Sequence, residues 1–104
     1  MGGIVAALDA GATGYAAHLR VSVGSVVELG VGTAAGLQLA AALPEVTYPS
    51  YLIGSRKYVR HITSAPLEVL DSRLPIGSDP GLGIEVDEEA VGAMDLRNAD
   101  PLSS

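Results

Sequence analysis

Apolar side chains at Ile4, Leu8, Ala12 and Tyr15 recur with the spacing of one helical face, which predicts a helix over residues 3–17. Gly11 and Gly14 fall inside it and each weakens it by about 1 kcal/mol relative to Ala. β-Branched residues then take over. Val21, Val23, Val26 and Val27 predict a strand over 19–27, nearly continuous in apolar and small residues, as expected of a strand covered on both faces. Gly30 to Gly32 predicts a turn, and residues 33–43 predict a second helix that Pro44 stops. A short strand is expected at 46–48.

Beyond residue 50 the pattern loosens. Residues 67–69 and 73–76 predict two short strands around an Asp71-Ser72 turn, and 78–83 predicts a loop. Val86-Asp87-Glu88-Glu89 opens a short helix with acids in its first turn, facing the positive end of the helix dipole. Residues 98–104 predict a frayed tail, so the folded part is expected to be 1–97.

Composition sharpens this pattern. At 104 residues the chain is one small domain or a piece of a larger one, with no Phe, no Trp and much Ala among its 48% hydrophobic residues. Small side chains bury little area each, so a free-standing core of this kind is thin. The net charge of -6 argues against nucleic acid as a partner. There is no Cys, and the N-terminus lacks the basic region of a secretory leader. Both fit a reducing, cytoplasmic setting. The opening Gly2-Gly3-Ile4-Val5-Ala6 departs from a myristoylation start, because Ala6 stands where Ser or Thr is needed. Residues 21–43 are long enough to cross a bilayer, but Glu28, Gln38 and several glycines argue against a membrane span.

The glycines raise a question of chemistry. A phosphate loop needs Lys and then Ser or Thr after its last glycine, whereas Thr33 follows Gly32 directly. Gly30, Gly32 and Ala35 do fit G-x-G-x-x-A, the dinucleotide fingerprint. The acid that should follow about 20 residues on is missing, since the chain reads Tyr48-Pro49-Ser50-Tyr51 there. A tight βα turn is the plainer reading, with a small nucleotide-binding module as the alternative.

Other polar groups have plain readings. His18 is a turn residue at a helix end. Arg56, Lys57, Arg60 and His61 form a solvated charged loop, with anion binding as its alternative. Asp87, Glu88 and Glu89 start a helix and do not converge on a metal. Tyr48, Tyr51 and Tyr58 serve as core or loop anchors. No Ser-His-Asp order and no zinc-ligand spacing occurs.

Several segments together carry more information than any one of them. These are Gly2-Gly3-Ile4, Val23-Gly24-Ser25-Val26-Val27-Glu28, Gly32-Thr33-Ala34-Ala35-Gly36-Leu37-Gln38-Leu39-Ala40-Ala41-Ala42-Leu43-Pro44 and Pro80-Gly81-Leu82-Gly83-Ile84-Glu85-Val86-Asp87-Glu88-Glu89-Ala90. In order and spacing they resemble the mandelate racemase/muconate lactonizing enzyme family of the enolase superfamily, over most of the chain. The form Gly24-Ser25-Val26-Val27-Glu28 is nearer the muconate cycloisomerase subgroup; the racemase subgroup has a catalytic His where Gly24 stands.

The resemblance implies an α/β fold: a partial TIM barrel, comprising the last βα units of a (β/α)7β barrel and a C-terminal tail toward the capping domain. It implies a family chemistry in which a proton α to a carboxylate is abstracted with Mg²⁺ assistance, on a small-molecule carboxylate substrate. The metal ligands and base lysines of the family lie on strands that would precede Met1. The chain has Lys57 as its sole lysine and no Lys-x-Lys pair, so it is expected to be inactive alone. Two mouth residues are carried over. Glu28 matches a carboxylate common at the end of strand seven; its plain reading is a strand-end group that hydrogen-bonds backbone or solvent. Tyr51 stands where the family often has an acid, and Ser55 where a Pro is common, which puts the activity of even a restored barrel in question. One alternative is half of a split enzyme completed by a partner chain. Open sheet edges would also favour a homo-oligomer.

Overall fold

The computed structural model describes residues 2–95. Three α-helices succeed one another: α1 (Ile4–Ala16), α2 (Gly30–Ala42) and α3 (Glu88–Met94), with a 3-10 turn at Gly54–Lys57 between the last two. The tail expected from residue 98 lies outside the described residues.

Helix α1 ends where local geometry closes it. The N–H of His18 donates to Tyr15 O (3.0 Å) and that of Leu19 to Gly14 O (2.9 Å), the paired bonds that cap a helix C-terminus. His18 takes the left-handed conformation this cap needs, with φ 57, and is exposed. A non-glycine residue there costs about 1 kcal/mol or more. His18→Gly is therefore expected to stabilise the chain by about 0.5–1 kcal/mol, seen as a raised urea midpoint; an unchanged or lowered midpoint would remove the cap as a source of strain.

After α1 the chain runs alongside residues 47–51 in parallel. Thr47 N–H donates to Val21 O and Tyr51 N–H to Val23 O, both at 2.9 Å, and Gly24 bridges Tyr51. The strand expected at 19–27 is thus an irregular segment whose parallel bridge is to Tyr51, beyond the strand expected at 46–48; the latter joins it through the Thr47 bond and forms no continuous ladder. Val23 N–H goes to the Ser50 hydroxyl (3.4 Å) in place of a carbonyl. The expected cover on both faces is also absent beyond Gly24, because the chain leaves the pair and Val26 and Val27 stand 75% and 54% exposed.

Helix α2 begins at Gly30, so the turn expected at Gly30 to Gly32 is in fact its first turn. It lies on the parallel pair. Val23, Leu37, Leu43 and Leu52 form the buried core, joined at its edge by Leu8, Val21, Leu39, Ala40, Val46 and Leu74. Small residues allow this approach. A Cβ on Gly36 would stand 2.8 Å from a Leu52 methyl, and a Leu43 methyl fills the place of a Cβ on Gly11 of α1.

The remaining segments attach by single bridges. Thr63 pairs antiparallel with Val86, with Ser64 N–H on Glu85 O (3.0 Å) and Asp87 N–H on Ile62 O (2.8 Å). Leu70 and Arg73 pair across Asp71-Ser72, both at positive φ (48 and 60), the two-residue turn whose twist suits a hairpin. The turn lies where expected, but the flanking segments 67–69 and 73–76 form no longer ladder. Asp87 caps α3 by accepting the Ala90 N–H at 2.9 Å. The radius of gyration is 15.8 Å, against about 13 Å for a compact chain of this size. Among the described residues no helix is long and apolar enough to cross a membrane.

Candidate functional site at the end of the parallel pair

Past the Gly24–Tyr51 bridge the chain turns back into α2 through Ser25, Val26, Val27 and Glu28. That turn holds a carboxylate in a fixed place. The Val26 N–H donates to Glu28 Oε2 at 2.9 Å. The Ser25 hydroxyl donates to Glu28 Oε1. The same hydroxyl oxygen accepts the Gly54 N–H at 2.9 Å. The Tyr58 hydroxyl donates to Val27 O. Two contacts therefore join the turn to the 3-10 segment and to the residue that follows it, 29 and 31 residues away. A third bond joins that segment to α2: fully buried Thr33 accepts the Ser55 N–H at 3.2 Å and donates to Leu29 O at 3.3 Å.

Glycines make the space. A Cβ on Gly32 would stand 2.6 Å from Glu28 Cβ. On Gly54 it would stand 2.7 Å from both Glu28 Cδ and the Glu28 carbonyl oxygen. Glu28 lies just before the first turn of α2, where the unpaired N–H groups favour negative charge. The Ser25 hydroxyl holds its carboxyl below the usual carboxylate range, with the Val26 N–H and the Lys57 ammonium adding to the effect. Burial pushes the other way and is outweighed. The site thus presents an ionised carboxylate with little freedom to move.

The nucleotide reading fails on the same geometry. A cradle needs bare glycine backbone, but Gly30 is covered by the Thr63 side chain, whose methyl would meet a Cβ at 2.9 Å, and Gly32 by Glu28. Tyr51 is 53% exposed, and beside it Gly24 has open space where a Cβ would stand. Its backbone is fixed by the bridge, and no hydrogen bond joins its side chain to Glu28. Tyr48 instead accepts from Arg20, whose guanidinium lies 5.4 Å from the ring centroid. Among the described residues no group of three or more His, Asp or Glu side chains comes together. They offer no cage for a divalent cation.

Ser25 and Gly54 escaped the reading of the sequence, whereas Tyr58, expected as a core or loop anchor, does anchor the turn through its hydroxyl on Val27 O. One signal was present: Ser25-x-x-Glu28 just before a helix has the spacing of a capping box. The bonds differ from that motif, because the Glu28 carboxylate turns back onto Ser25 and Val26.

A family model described as enolase C-terminal domain-like matches residues 1–90. The chloromuconate cycloisomerase of Cupriavidus necator is 38% identical over 93 residues, which are 88% of this chain and 25% of that protein. Muconate cycloisomerase 1-1 of Acinetobacter lwoffii is 33% identical over 90 residues, 86% of this chain and 24% of that protein. The crystal structure of muconate cycloisomerase from Pseudomonas fluorescens superposes with a TM-score of 0.83 at 29% identity, covering 88% of this chain and 26% of that one. Muconate lactonizing enzyme from Pseudomonas fluorescens complexed with muconolactone gives 0.82 at 29% identity, covering 88% and 25%. The chain spans about a quarter of the length of these relatives.

Proposed function

Because this chain belongs to the enolase C-terminal domain-like family and is similar to muconate and chloromuconate cycloisomerases, we propose that it is the C-terminal part of a cycloisomerase-like enzyme. Residues 1–97 form the last βα units of a (β/α)7β barrel, followed by a tail at 98–104, and the protein works in the cytoplasm. The whole enzyme abstracts a proton α to a carboxylate on a small-molecule substrate. Mg²⁺ supplies charge stabilisation there, held by residues that this chain does not bring together.

What this chain contributes is the site around Glu28. That carboxylate, fixed and ionised at the end of the parallel pair, is the observation that carries the reading. Active sites of such barrels lie at the C-terminal ends of the strands. Ser25 and Gly54 keep Glu28 at one position on the rim, and its charge orients a polar substrate group. Tyr51 lines the same rim opposite Gly24. The proton transfers need bases, and Lys57, the one lysine, is exposed and lies across from Glu28's turn. The chain alone is therefore inactive.

A second reading, half of a split enzyme or a homo-oligomer, is favoured by the exposure of Leu19 (65%), Val26, Val27 and Tyr51 around the single parallel bridge. Unpaired edges beside apolar side chains recruit a further polypeptide. Incubation of the purified chain with Mg²⁺ and muconolactone in deuterated water tests both. No exchange above buffer is expected from the chain alone, and exchange is expected on adding a separate chain that carries the earlier barrel strands. Exchange by the chain alone would overturn the assignment of the bases to other segments. Sedimentation of the same sample as a monomer would count against the oligomer.

A further inference from the structure

The basic run Arg56, Lys57, Arg60 and His61 is split by the fold. Lys57 adds to the field at Glu28, and Arg60 is exposed. Arg56 and His61 instead line a cavity of about 320 Å³ between the 3-10 turn and segment 66–70. Leu67, Val69 and Leu70 supply its apolar surface, and Glu68 lies on its wall. Neither Arg56 nor Glu68 has a side-chain partner among the described residues. The guanidinium therefore stands beside an open, partly apolar concavity, without a side-chain partner among the described residues.

We propose that this cavity binds a small monocarboxylate with an apolar body, its carboxylate on Arg56 and His61 and its body on Leu67, Val69 and Leu70. A guanidinium presents two parallel N–H donors that match a carboxylate, and such a charge-assisted pair is stronger than a neutral hydrogen bond. A ring N–H of His61 supplies a further donor. Glu68 sets the charge of the ligand, because a second negative group in so small a space would face its carboxylate. This disfavours phosphates and dicarboxylates. The volume lies at the small end of the range for ligand pockets, roughly 300–1,000 Å³. The site is distinct from Glu28 and does not rest on the cycloisomerase reading.

Benzoate is a suitable probe, followed by ligand-observed saturation-transfer NMR on the full 104-residue chain, a measurement that tolerates self-association. Saturable transfer to the benzoate ring is expected at millimolar concentration, with neutral benzamide failing to compete. Arg56→Ala should weaken binding roughly tenfold or more, the loss of one charge-assisted pair. Arg56 is exposed, so its removal spares the core, and circular dichroism verifies this. Glu68→Gln should admit phthalate, which the parent chain binds more weakly than benzoate. Absence of saturable transfer, equal binding by Arg56→Ala, or equal competition by benzamide would each overturn the proposal.

Discussion

Leu52→Ala should cost about 2–5 kcal/mol, the range for truncating a buried leucine. Leu52 is 5% exposed and is one of four members of the buried cluster among the described residues. Each member therefore carries a large share of a thin core, and the loss approaches the whole stability of a small domain. Urea unfolding followed by circular dichroism should show a midpoint moved sharply down or a lost cooperative transition. A cavity effect can be separated from general damage at Gly36, where a Leu52 methyl stands 2.8 Å from the place of a Cβ. In the parent chain Gly36→Ala meets that methyl. In the Leu52→Ala background the space is open and the helix gains about 1 kcal/mol of propensity. The second substitution should then recover part of the loss, with a coupling of about 1 kcal/mol between neighbours in contact. A change below 1 kcal/mol on Leu52→Ala would show that this cluster is not the core in solution.

Gly54→Ala should destabilise by about 1–3 kcal/mol, as overpacking does. The added methyl would stand 2.7 Å from the Glu28 backbone oxygen, which cannot rotate away as a side-chain end can. Relief requires the turn and the 3-10 segment to part, with loss of the bond from Gly54 N–H to Ser25 Oγ. The effect has a pH signature. The Glu28 carboxyl sits lower in the folded chain than its ordinary value of 4.5. A group lowered on folding binds fewer protons in the native state than in the unfolded one. Its stabilisation is present in full above pH 4.5 and is lost as pH falls from there through the folded value. The stability difference between the parent chain and Glu28→Gln should therefore be largest near neutral pH and shrink in acid below pH 4.5. Gly54→Ala should flatten the same acid limb. A parent–Gln difference that stays constant down to pH 3 would mean that Glu28 is solvated and holds nothing.

Much of the local structure was legible in the chain, because short-range forces decide it. The spacing of Ile4, Leu8, Ala12 and Tyr15 gave α1 within a residue at each end. Asp71-Ser72 gave the hairpin turn, since both tolerate positive φ. Asp87 and the acids after it gave the start of α3, since a side-chain oxygen reaches the free N–H groups of the first turn. The ordered segments through residue 90 gave the family.

Tertiary structure decided the rest. By propensity Gly30 to Gly32 is a turn, but Thr63 and Glu28 pack over these glycines and the helix begins there. Val26 and Val27 have the composition of a covered strand, but nothing in the described residues covers them. Strand character rewards a side chain only where a neighbour packs on it. Glu28 was a candidate from its position alone. Its own bonds, from Ser25 and Val26, span only three and two residues; what the fold adds is the Gly54 N–H on the Ser25 hydroxyl, from 29 residues away. Composition, periodicity and capping act over three or four residues, so the sequence determined helices, turns and kinship. Where two distant segments meet, and which carboxylate that meeting holds ionised, depends on the folded backbone and on glycines lacking the one atom that would keep them apart.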